Sequence, residues 1–507
     1  MRTSCQDYHH HTSYDRRRME GHFLDWSNRP RVFKEYYALK VVPLPVAAPI
    51  PETSLSELVL GDPPEQLPGS LSLEQLSQVF SLAYSLTAKS VHSNGEFFYR
   101  SVPSAGALYP CELYVAARSI LDLPDGLYHY AIGRRGLAQV RPGNYFEDLC
   151  YPSPPDQSEE APLLMFFVTA IFFRSAWKYR ARSYRYHLMD SGHLLESLTL
   201  ALKMLSLPYE ATLDFEDQGI NSFLGCDAER EVCLGVVSVG CKGDSAAFVA
   251  KVPAELSESA AAASRVARKE IAYPALQQFH LAGARLIAPK GTIPELIREV
   301  GESPTSWKTI PKGKVWPEQM HYGEVVRQRR SHRNFIEAGI SESVFQAFVT
   351  LLCGGNEAPG GWSQRQRQTI VSGFLAGNVE GLDPGCYWLD HSQHRVGMTR
   401  SGALLAQMSH ICLDQEWLKQ AGLHFFFATN LELLDKVWGP RGYRYAMMTA
   451  GRLGQMIYLA ATSFALGCCG VGAFYDGEAA ALLGLNEASV MLYLLAVGPV
   501  RRVGSKG

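Results

Sequence analysis

The sequence predicts an α+β fold made of two similar domains in tandem. Three observations predict it: the two halves of the chain align with each other, each half carries apolar runs of strand length, and each carries a long apolar segment of helical length. Helices and strands do not alternate in a regular βαβ series, so a doubly wound parallel sheet is not expected. A chain of 507 residues also exceeds what one ordinary core accommodates.

The two halves align at a constant offset of 259 residues, the separation of Gly126 from Gly385. GLYHY at Gly126 falls on GCYWL at Gly385, and RSYRYHLMDSGH from Arg182 falls on RGYRYAMMTAGR from Arg441. One duplication, with units of about 250 residues, explains the length. An alanine-rich helical stretch and a Gly/Pro-rich connector separate the units. We therefore predict domain 1 with an N-terminal extension at 1–255, a helical connector at 256–314 and domain 2 at 315–507.

Each half shows the same order of elements. A helix (LSLEQLSQVFSLAYSL; SESVFQAFVTLL) precedes short β-rich runs (CELYVAA; TIVSGFLA). A strand (LLMFFVTAIFF; LHFFFAT), a long apolar helix and a closing strand (VCLGVVSVG; VMLYLLAVG) follow. The longest apolar run, APLLMFFVTAIFF, is too short to span a membrane, so we interpret it as a buried strand.

Composition and charge argue against several functional classes. The chain has 48 basic and 50 acidic side chains, so it has no positive surplus that would favour nucleic acid. The N-terminus is polar where a secretory signal would be apolar, which predicts a cytoplasmic protein without membrane contact. The eleven cysteines form no CxxC pair and are expected to be reduced, mostly buried thiols. Three successive histidines, His9 to His11, cannot all face one ion, so we predict a solvated terminus and no metal site.

Four motifs occur in only one of the two halves. RRSHR at Arg329 to Arg333 aligns with LGDPP, which has no positive charge. PSAG at Pro103 to Gly106 is lost in the second half, whereas GVG at Gly470 to Gly472 is missing from the first. The pair Lys178 and Tyr179 has no counterpart in VWGPRGYR. Each half thus holds two motifs that the other lacks.

This complementary pattern predicts a single anion-binding site between the halves. Arginine side chains would clamp a phosphate with their fork geometry, and Ser331 would add a hydroxyl donor. The PSAG and GVG segments would offer backbone groups to a flat, polar-edged ring. Taken singly, each motif has a plain structural reading, namely a solvated helix start, a turn, a packing bend or a surface pair. Their complementary loss favours the ligand site.

The motifs resemble the FMN-dependent nitroreductase superfamily, and within it the SagB-type dehydrogenases related to azoline oxidases. The resemblance rests on RRSHRNF, on RSVPSAGALYP followed by GLYHY, on WKYRARSYRYHLMDSGH, and on YRYAMMTAGRLGQMIYLAATSFALG with GVGAF after it. It implies two nitroreductase-like domains fused as a pseudo-dimer, each with a mostly antiparallel central sheet flanked by helices. It also implies one FMN bound at the interface of the two halves.

The resemblance assigns roles to individual residues. The residues expected at the phosphate and ribityl chain are Arg329, Arg330, Ser331, Arg333 and Arg501. Those expected along the flavin ring are Pro103, Ser104, Ala105 and Gly106, with Gly470, Val471 and Gly472 at its N5 edge. Lys178 and Tyr179 match the pair that azoline oxidases use for proton removal, and Arg180 or Arg182 is expected to lower the pKa of Lys178. The mirror-related site lacks these motifs and is expected to be empty.

The implied function is an FMN-dependent dehydrogenase or oxidase acting on a peptide-derived azoline or a small heterocycle. An NAD(P)H-dependent nitro- or quinone-reductase of the same fold is the second reading, and a non-catalytic flavin-binding scaffold is the third. Lys178 and Tyr179 favour the first, because a generic reductase needs no such pair. Arg180 stands where the family often has glycine, which leaves the azoline substrate open. The electron partner and further homodimerisation are open as well.

Overall fold

The structure is a computed structural model in which all of the predicted core elements are described. The described residues are 3–19, 21–62, 64, 66–67, 69–92, 95–146, 149–150, 162–240, 249–250, 256, 260, 262–286, 294–312, 316–354 and 364–501.

Helices and strands recur in the same order in the two halves. The α-helices are α1 (Cys5–His11), α2 (Leu55–Leu60), α3 (Leu73–Ala83), α4 (Phe172–Tyr179), α5 (Ser183–Met204), α6 (Asp217–Leu224), α7 (Pro274–Ala282), α8 (Tyr322–Gln328), α9 (Glu342–Cys353), α10 (Gln364–Arg367), α11 (Leu405–Ile411), α12 (Leu431–Trp438), α13 (Arg441–Ser463) and α14 (Asp476–Leu483). The first-half strands are β1 (Val41–Pro43), β2 (Leu86–His92), β3 (Gly95–Arg100), β4 (Cys111–Ala117), β5 (Gly126–Ala131), β6 (Gly136–Pro142), β7 (Leu149–Cys150), β8 (Leu164–Ile171), β9 (Tyr209–Thr212), β10 (Glu231–Val239) and β11 (Val249–Ala250). The second-half strands are β12 (Lys308–Thr309), β13 (Val371–Ala376), β14 (Gly385–Asp390), β15 (Arg395–Ser401), β16 (Leu423–Asn430), β17 (Gly467–Val471) and β18 (Ser489–Gly498).

Each half contains a seven-stranded antiparallel sheet of the same topology. The strand order is β1-β6-β5-β4-β8-β10-β9 in the first half and β12-β15-β14-β13-β16-β18-β17 in the second. β8 and β16 lie inside their sheets and are buried along their whole length, which explains their nearly continuous apolar sequence. The predicted α+β tandem is therefore confirmed, and so is the interpretation of the longest apolar run as a strand.

The two longest helices, α5 and α13, pack against each other between the sheets. Gly192 of α5 lies against α13 so closely that a Cβ atom there would sit 2.2 Å from the carbonyl oxygen of Met448. The equivalent Gly451 of α13 meets the carbonyl oxygen of Met189 at the same distance. Glycine at both positions therefore permits a backbone-to-backbone helix crossing that no other residue allows.

Two equivalent buried ion clusters join the halves. Asp476 at the start of α14 accepts from Arg182 and Arg185 of the first half, at 2.7 and 2.6 Å. Asp217 at the start of α6 accepts in the same way from Arg441 and Arg444 of the second half. Each carboxylate sits at a helix N-terminus and faces two guanidinium groups, so its negative charge is stabilised on every side. These clusters hold the two halves in register.

The N-terminal histidines belong to a packed helix, so the prediction of a solvated terminus is wrong. His9 in α1 is fully buried and contacts the hydroxyl of Tyr443 (3.0 Å) and the carboxylate of Asp476 (3.3 Å). His280 of α7 makes the same pair of contacts in the other half, with Tyr184 and Asp217. The sequence signal was hidden because a short helix with three histidines looks polar, although only one of its faces is exposed.

Helix α7 occupies the place in the second half that α1 occupies in the first. Tyr8 and Phe279 stack on each other with ring centroids 4.4 Å apart and planes within 3°. The predicted connector at 256–314 therefore contains a helix that packs as an interface element. The three predicted domain limits remain predictions.

Two other expectations concern thiols and membranes. Nine cysteines are free thiols, and eight of them are buried. Among the helices of the described ranges, none is long and apolar enough to cross a membrane.

Candidate active site

One cavity of about 680 Å³, here called the interface cavity, has walls from both halves. The first half contributes the loop after β3, the end of α4 and part of α5, and the second contributes the loop after α8, part of α13 and the end of β17. The predicted site residues that line it are Pro103, Ser104, Ala105, Gly106, Lys178, Tyr179, Arg329, Arg330, Ser331, Arg333, Gly470, Val471 and Gly472. The structure thus gathers residues that are far apart in sequence.

Arg501 is the predicted site residue that does not line the interface cavity. Its side chain is exposed, and its backbone N–H donates to the carbonyl of Asn334 at 3.1 Å. The side-chain amide of Asn334 donates in return to the carbonyl of Arg501 at 2.8 Å. Its predicted role in phosphate binding stays a prediction.

Arg329 is a buried cation with an unused donor. It follows the end of α8 and reaches the first half, where Nε donates to the carbonyl of Ser101 (2.6 Å) and Nη2 to that of Arg100 (3.0 Å). The side chain is 3% exposed, its Nη1 has no partner, and it forms no ion pair within the described ranges. Burial accordingly lowers its pKa. Such a group is ready to bind an anion.

The other members of the RRSHR motif face different parts of the interface cavity. Arg330 donates to the side chain and carbonyl of Thr87 in β2, at 3.2 and 3.1 Å. Ser331 shares a hydrogen bond of 2.9 Å with the hydroxyl of Tyr458. Arg333 lies toward Trp417, with 5.8 Å from its guanidinium carbon to the indole centroid. The motif therefore spreads its cations along one wall.

The loop after β3 adopts strained backbone conformations beside the cavity. Gly106, Ala107 and Tyr109 all have positive φ, at 65°, 53° and 46°. A Cβ atom on Gly106 would also lie 2.7 Å from the hydroxyl of Tyr179 and 3.3 Å from Nζ of Lys178. Glycine is required here by conformation and by the close approach of the Lys-Tyr pair.

The glycines of the GVG segment also mark close approaches. A Cβ atom on Gly470 would lie 1.9 Å from the hydroxyl oxygen of Tyr493, and one on Gly472 would lie 2.6 Å from the ring of Tyr186. The carbonyl of Gly472 accepts from Tyr186 and from Arg182, both at 3.1 Å. This carbonyl is therefore held by the protein, which fixes the edge of β17 beside the cavity.

Lys178 and Tyr179 end helix α4, rather than a strand, at the edge of the cavity. Burial, followed by the charge of Arg333, lowers the pKa of Lys178. Burial raises the pKa of Tyr179 well above its usual value, so the phenol stays protonated. Lys178 is thus the better candidate for a proton acceptor, because its neutral form is favoured, and Tyr179 is a hydrogen-bond donor.

The cation that acts on Lys178 belongs to the second half, which corrects the expectation for Arg180 and Arg182. Arg182 is neutralised by Asp476, and the side chain of Arg180 is exposed. Sequence proximity suggested the wrong arginines, because the chain folds Arg333 toward Lys178 across the interface.

Replacing Arg333 with glutamine is expected to raise the pKa of Lys178, because a nearby positive charge is removed. The measurement is the pH dependence of Lys178 acetylation by acetic anhydride, followed by peptide mass spectrometry. Arg180→Gln is the matched control and is expected to leave the profile unchanged. Equal profiles for Arg333→Gln and the parent protein would contradict the coupling.

The further residues that line the cavity and were not predicted include Asp190, His193, Tyr458 and Tyr493. His193 lies between the side chains of Gln455 and Tyr493, both at 3.1 Å, and burial lowers its pKa to about 3, so it is neutral. The signal was present in the comparison of the halves. Their counterparts in the other half are Thr449, Arg452, Thr199 and Gly235.

The mirror-related region differs in its charge balance. There Arg452, the counterpart of His193, donates to the carboxylate of Glu196 at 2.7 Å. Glu196 itself corresponds to Gln455 in the other half. A buried arginine is neutralised within the protein here, unlike Arg329. Residues 355–363, which contain part of the predicted mirror motif, lie outside the described residues, and the empty mirror site stays a prediction.

Comparison with known proteins identifies the family. The nitroreductase family model matches residues 67–241 and 326–499, once in each half. The chain belongs to the nitroreductase family. The predicted family and its tandem duplication are confirmed.

Two relatives align with part of this nitroreductase-family chain, and one solved structure aligns with nearly all of it. A "putative nitroreductase" of Methanocaldococcus jannaschii is 28% identical over 181 residues, which cover 34% of this chain and 90% of that protein. The trifolitoxin-processing protein TfxB of Rhizobium leguminosarum bv. trifolii is 28% identical over 192 residues, covering 36% of this chain and 51% of that protein. A crystal structure of a putative nitroreductase from Anabaena variabilis has a TM-score of 0.77 at 23% identity, covering 99% and 100% of the two chains. This last likeness concerns the whole tandem fold.

Proposed function

We propose that this nitroreductase-family protein is an FMN-dependent oxidoreductase with a single flavin site in the interface cavity. The observation that carries the proposal is Arg329, a buried cation from one half with an unused N–H group beside a loop of the other half. Burying an unpaired guanidinium group costs free energy unless an anion binds to it. A flavin phosphate has the charge and the geometry to do so.

The residues present fit FMN in three respects. A cavity of about 680 Å³ lies within the usual size of cofactor sites, roughly 300–1,000 Å³. Arg329, Arg330 and Ser331 supply donors for a phosphate along one wall. Gly106, Gly470 and Gly472 border the cavity with backbone atoms alone, which suits the close approach of a flat ring.

FMN, when bound, supplies a two-electron acceptor for a hydride. The chain supplies the rest. Lys178, whose pKa is lowered, would take at Nζ the proton that leaves as the substrate loses its hydride, and the phenol of Tyr179 would orient the substrate by donating a hydrogen bond. Burial and the positive charge of Arg333 would both favour the neutral form of the Lys178 amine.

The substrate that we propose is a peptide-derived azoline, which becomes an azole by losing one hydride and one proton. Two observations support this class. The Lys-Tyr pair lies in the interface cavity next to Gly106, and one relative is named as a trifolitoxin-processing protein. This similarity also supports placing the chain in the SagB-type branch. A nitro- or quinone-reductase would have no use for the pair.

Purified protein is expected to carry a single FMN per chain, and a thiazoline-containing peptide is expected to bleach the flavin absorbance under anaerobic conditions. NADPH is expected to bleach it far more slowly, because the proposed reaction draws its electrons from the azoline. Absorbance spectra, with the released flavin identified and quantified, provide the measurement.

Lys178→Met is the control, since it should retain FMN and lose bleaching by the peptide. Two flavins per chain would contradict the single site. Absence of FMN even after its addition would favour the scaffold reading, and rapid bleaching by NADPH alone would favour the reductase.

A further inference from the structure

Asp190 is a buried carboxyl group in the wall of the interface cavity. It lies on α5 and is 5% exposed. Its Oδ2 accepts from the hydroxyl of Ser104 at 2.5 Å, and its Oδ1 accepts from the backbone N–H of Ala105 at 3.4 Å. Within the described ranges it forms no ion pair. Within the described part of the chain, its side-chain hydrogen bonds therefore come from the loop that follows β3.

The hydrogen bonds around Ser104 require a carboxylate. The backbone N–H of Tyr109 donates to Oγ of Ser104 at 2.9 Å, so the hydroxyl proton of Ser104 points to Asp190. Ala105 presents a second donor to the same carboxyl group. A group that meets two donors and no acceptor is satisfied as a carboxylate, and a proton on it would add a donor without a partner.

Four titratable groups that interact electrostatically with Asp190 are neutral, whereas the cationic Arg329 and Arg333 line the same cavity from the second half. Tyr109 of the loop, Cys111 of β4, Tyr179 of α4 and Tyr493 of β18 all have a pKa that burial raises above the usual value. One turn along α5, His193 is also neutral, as described above. Burial raises the pKa of Asp190 to about 7, despite the hydrogen bonds from the loop.

We propose that Asp190 is a positioning residue of the flavin site, whose carboxylate locks the Ser104–Gly106 loop against Lys178 and Tyr179. Protonation of Asp190 turns one loop donor away and releases the lock. The position of Gly106, which backs directly onto the Lys-Tyr pair, transmits the change to the groups that handle the proton. This inference rests on the proposed function, because the loop is assigned to the flavin ring.

The expected effect is a pH-dependent affinity for FMN. The carboxylate predominates above about pH 7 and the acid below it, so FMN should bind more tightly at pH 8 than at pH 6. Asp190→Asn should bind FMN about tenfold more weakly at pH 8, because an amide cannot accept from both donors, and its affinity should not vary between these pH values. Titration of the apoprotein with FMN, followed by quenching of flavin fluorescence, measures both.

Two further variants connect the effect with the loop. Ser104→Ala should resemble Asp190→Asn, and the double variant should be no weaker than either single variant. Ser191→Ala is the matched control, because Ser191 is the next residue of α5, is also buried, and faces Cys111 at 3.4 Å. Parental affinity and pH profile in Asp190→Asn would overturn the proposal, as would additive losses in the double variant.

Thermal stability separates positioning from a structural role. The pKa of Asp190 is raised in the folded state, so its contribution to folding is unfavourable above its unfolded pKa and grows as pH rises toward 7. Asp190→Asn, which is neutral, should therefore melt no lower than the parent at pH 8. A large drop in the melting temperature together with the lost affinity would overturn the proposal in favour of a structural role.

A flavin-free measurement distinguishes failure of this inference from failure of the proposed function. Amide hydrogen exchange of the loop 103–109 in the apoprotein should be slower at pH 8 than at pH 6 after correction for the intrinsic rate, and should lose this difference in Asp190→Asn. If the parent binds no FMN but shows this exchange pattern, the lock stands and the flavin assignment falls. If FMN binds and the pattern is absent, the lock is wrong.

Discussion

Replacing Arg329 with alanine is expected to abolish the retention of FMN during purification, with affinity reduced by about 100-fold or more. Two losses combine in this variant. The phosphate loses a charge-assisted donor, and the carbonyls of Arg100 and Ser101 lose the donors that hold the loop after β3 in place. Flavin released per chain and FMN titration of the apoprotein measure the effect.

Arg329→Lys is the more informative companion variant. A lysine keeps the positive charge, but a single ammonium group cannot serve both carbonyls and an anion with the fixed geometry of a guanidinium. Affinity should therefore be intermediate. Arg298→Ala is the control, because its side chain is 75% exposed and pairs with Glu295 on the surface. Full FMN content in Arg329→Ala would place the phosphate elsewhere.

Comparison of the halves carried most of the sequence prediction. It predicted the paired sheets because strands such as β8 and β16 repeat the same apolar pattern. It predicted the interface cavity because each of the four motifs is kept in one half only. Two motifs from each half together form one complete site between the halves. The same comparison distinguishes Asp190, since its counterpart is Thr449. A single acidic residue in a helix that otherwise repeats in both halves is, however, a weak signal on its own.

What the sequence could not predict depends on contacts between distant segments. The charge that acts on Lys178 comes from Arg333, which lies in the other half, whereas sequence neighbours suggested Arg180 and Arg182. The burial of His9 likewise depends on Tyr443 and Asp476. Residue type and local spacing cannot show which side chains of a second domain will approach.

The two halves resemble each other in the elements that hold the fold and differ around the interface cavity. The ion clusters of Asp217 and Asp476 repeat each other, as do the helices α1 and α7. Around the interface cavity the repetition stops, and an uncompensated Arg329 stands in contrast to the neutralised Arg452 of the mirror region. Fusion of the two copies into one chain permits this division, since each copy can change without altering the other.

Alanine at Gly192 or at Gly451 is expected to destabilise the protein by several kcal/mol, about 3–5, and by similar amounts at the two positions. In each case the new Cβ atom would lie 2.2 Å from a backbone carbonyl oxygen of the facing helix. A backbone group cannot move aside as a flexible side chain can, so α5 and α13 would have to separate along the whole interface. Thermal melting followed by circular dichroism measures the loss.

Gly477→Ala provides the matched control for this helix crossing. Gly477 also lies in a helix, α14, but a Cβ atom there would meet nothing within 4 Å. Alanine favours a helix over glycine by about 1 kcal/mol, so this variant should be as stable as the parent or more stable. Alanine has the same advantage in helix propensity at Gly192 and Gly451. A loss of stability at these two positions therefore comes from the helix crossing. FMN content should fall together with stability in Gly192→Ala and Gly451→Ala, because α5 carries Asp190 and α13 carries Tyr458 into the interface cavity. Parental stability in both variants would show that the helices do not cross at their glycines.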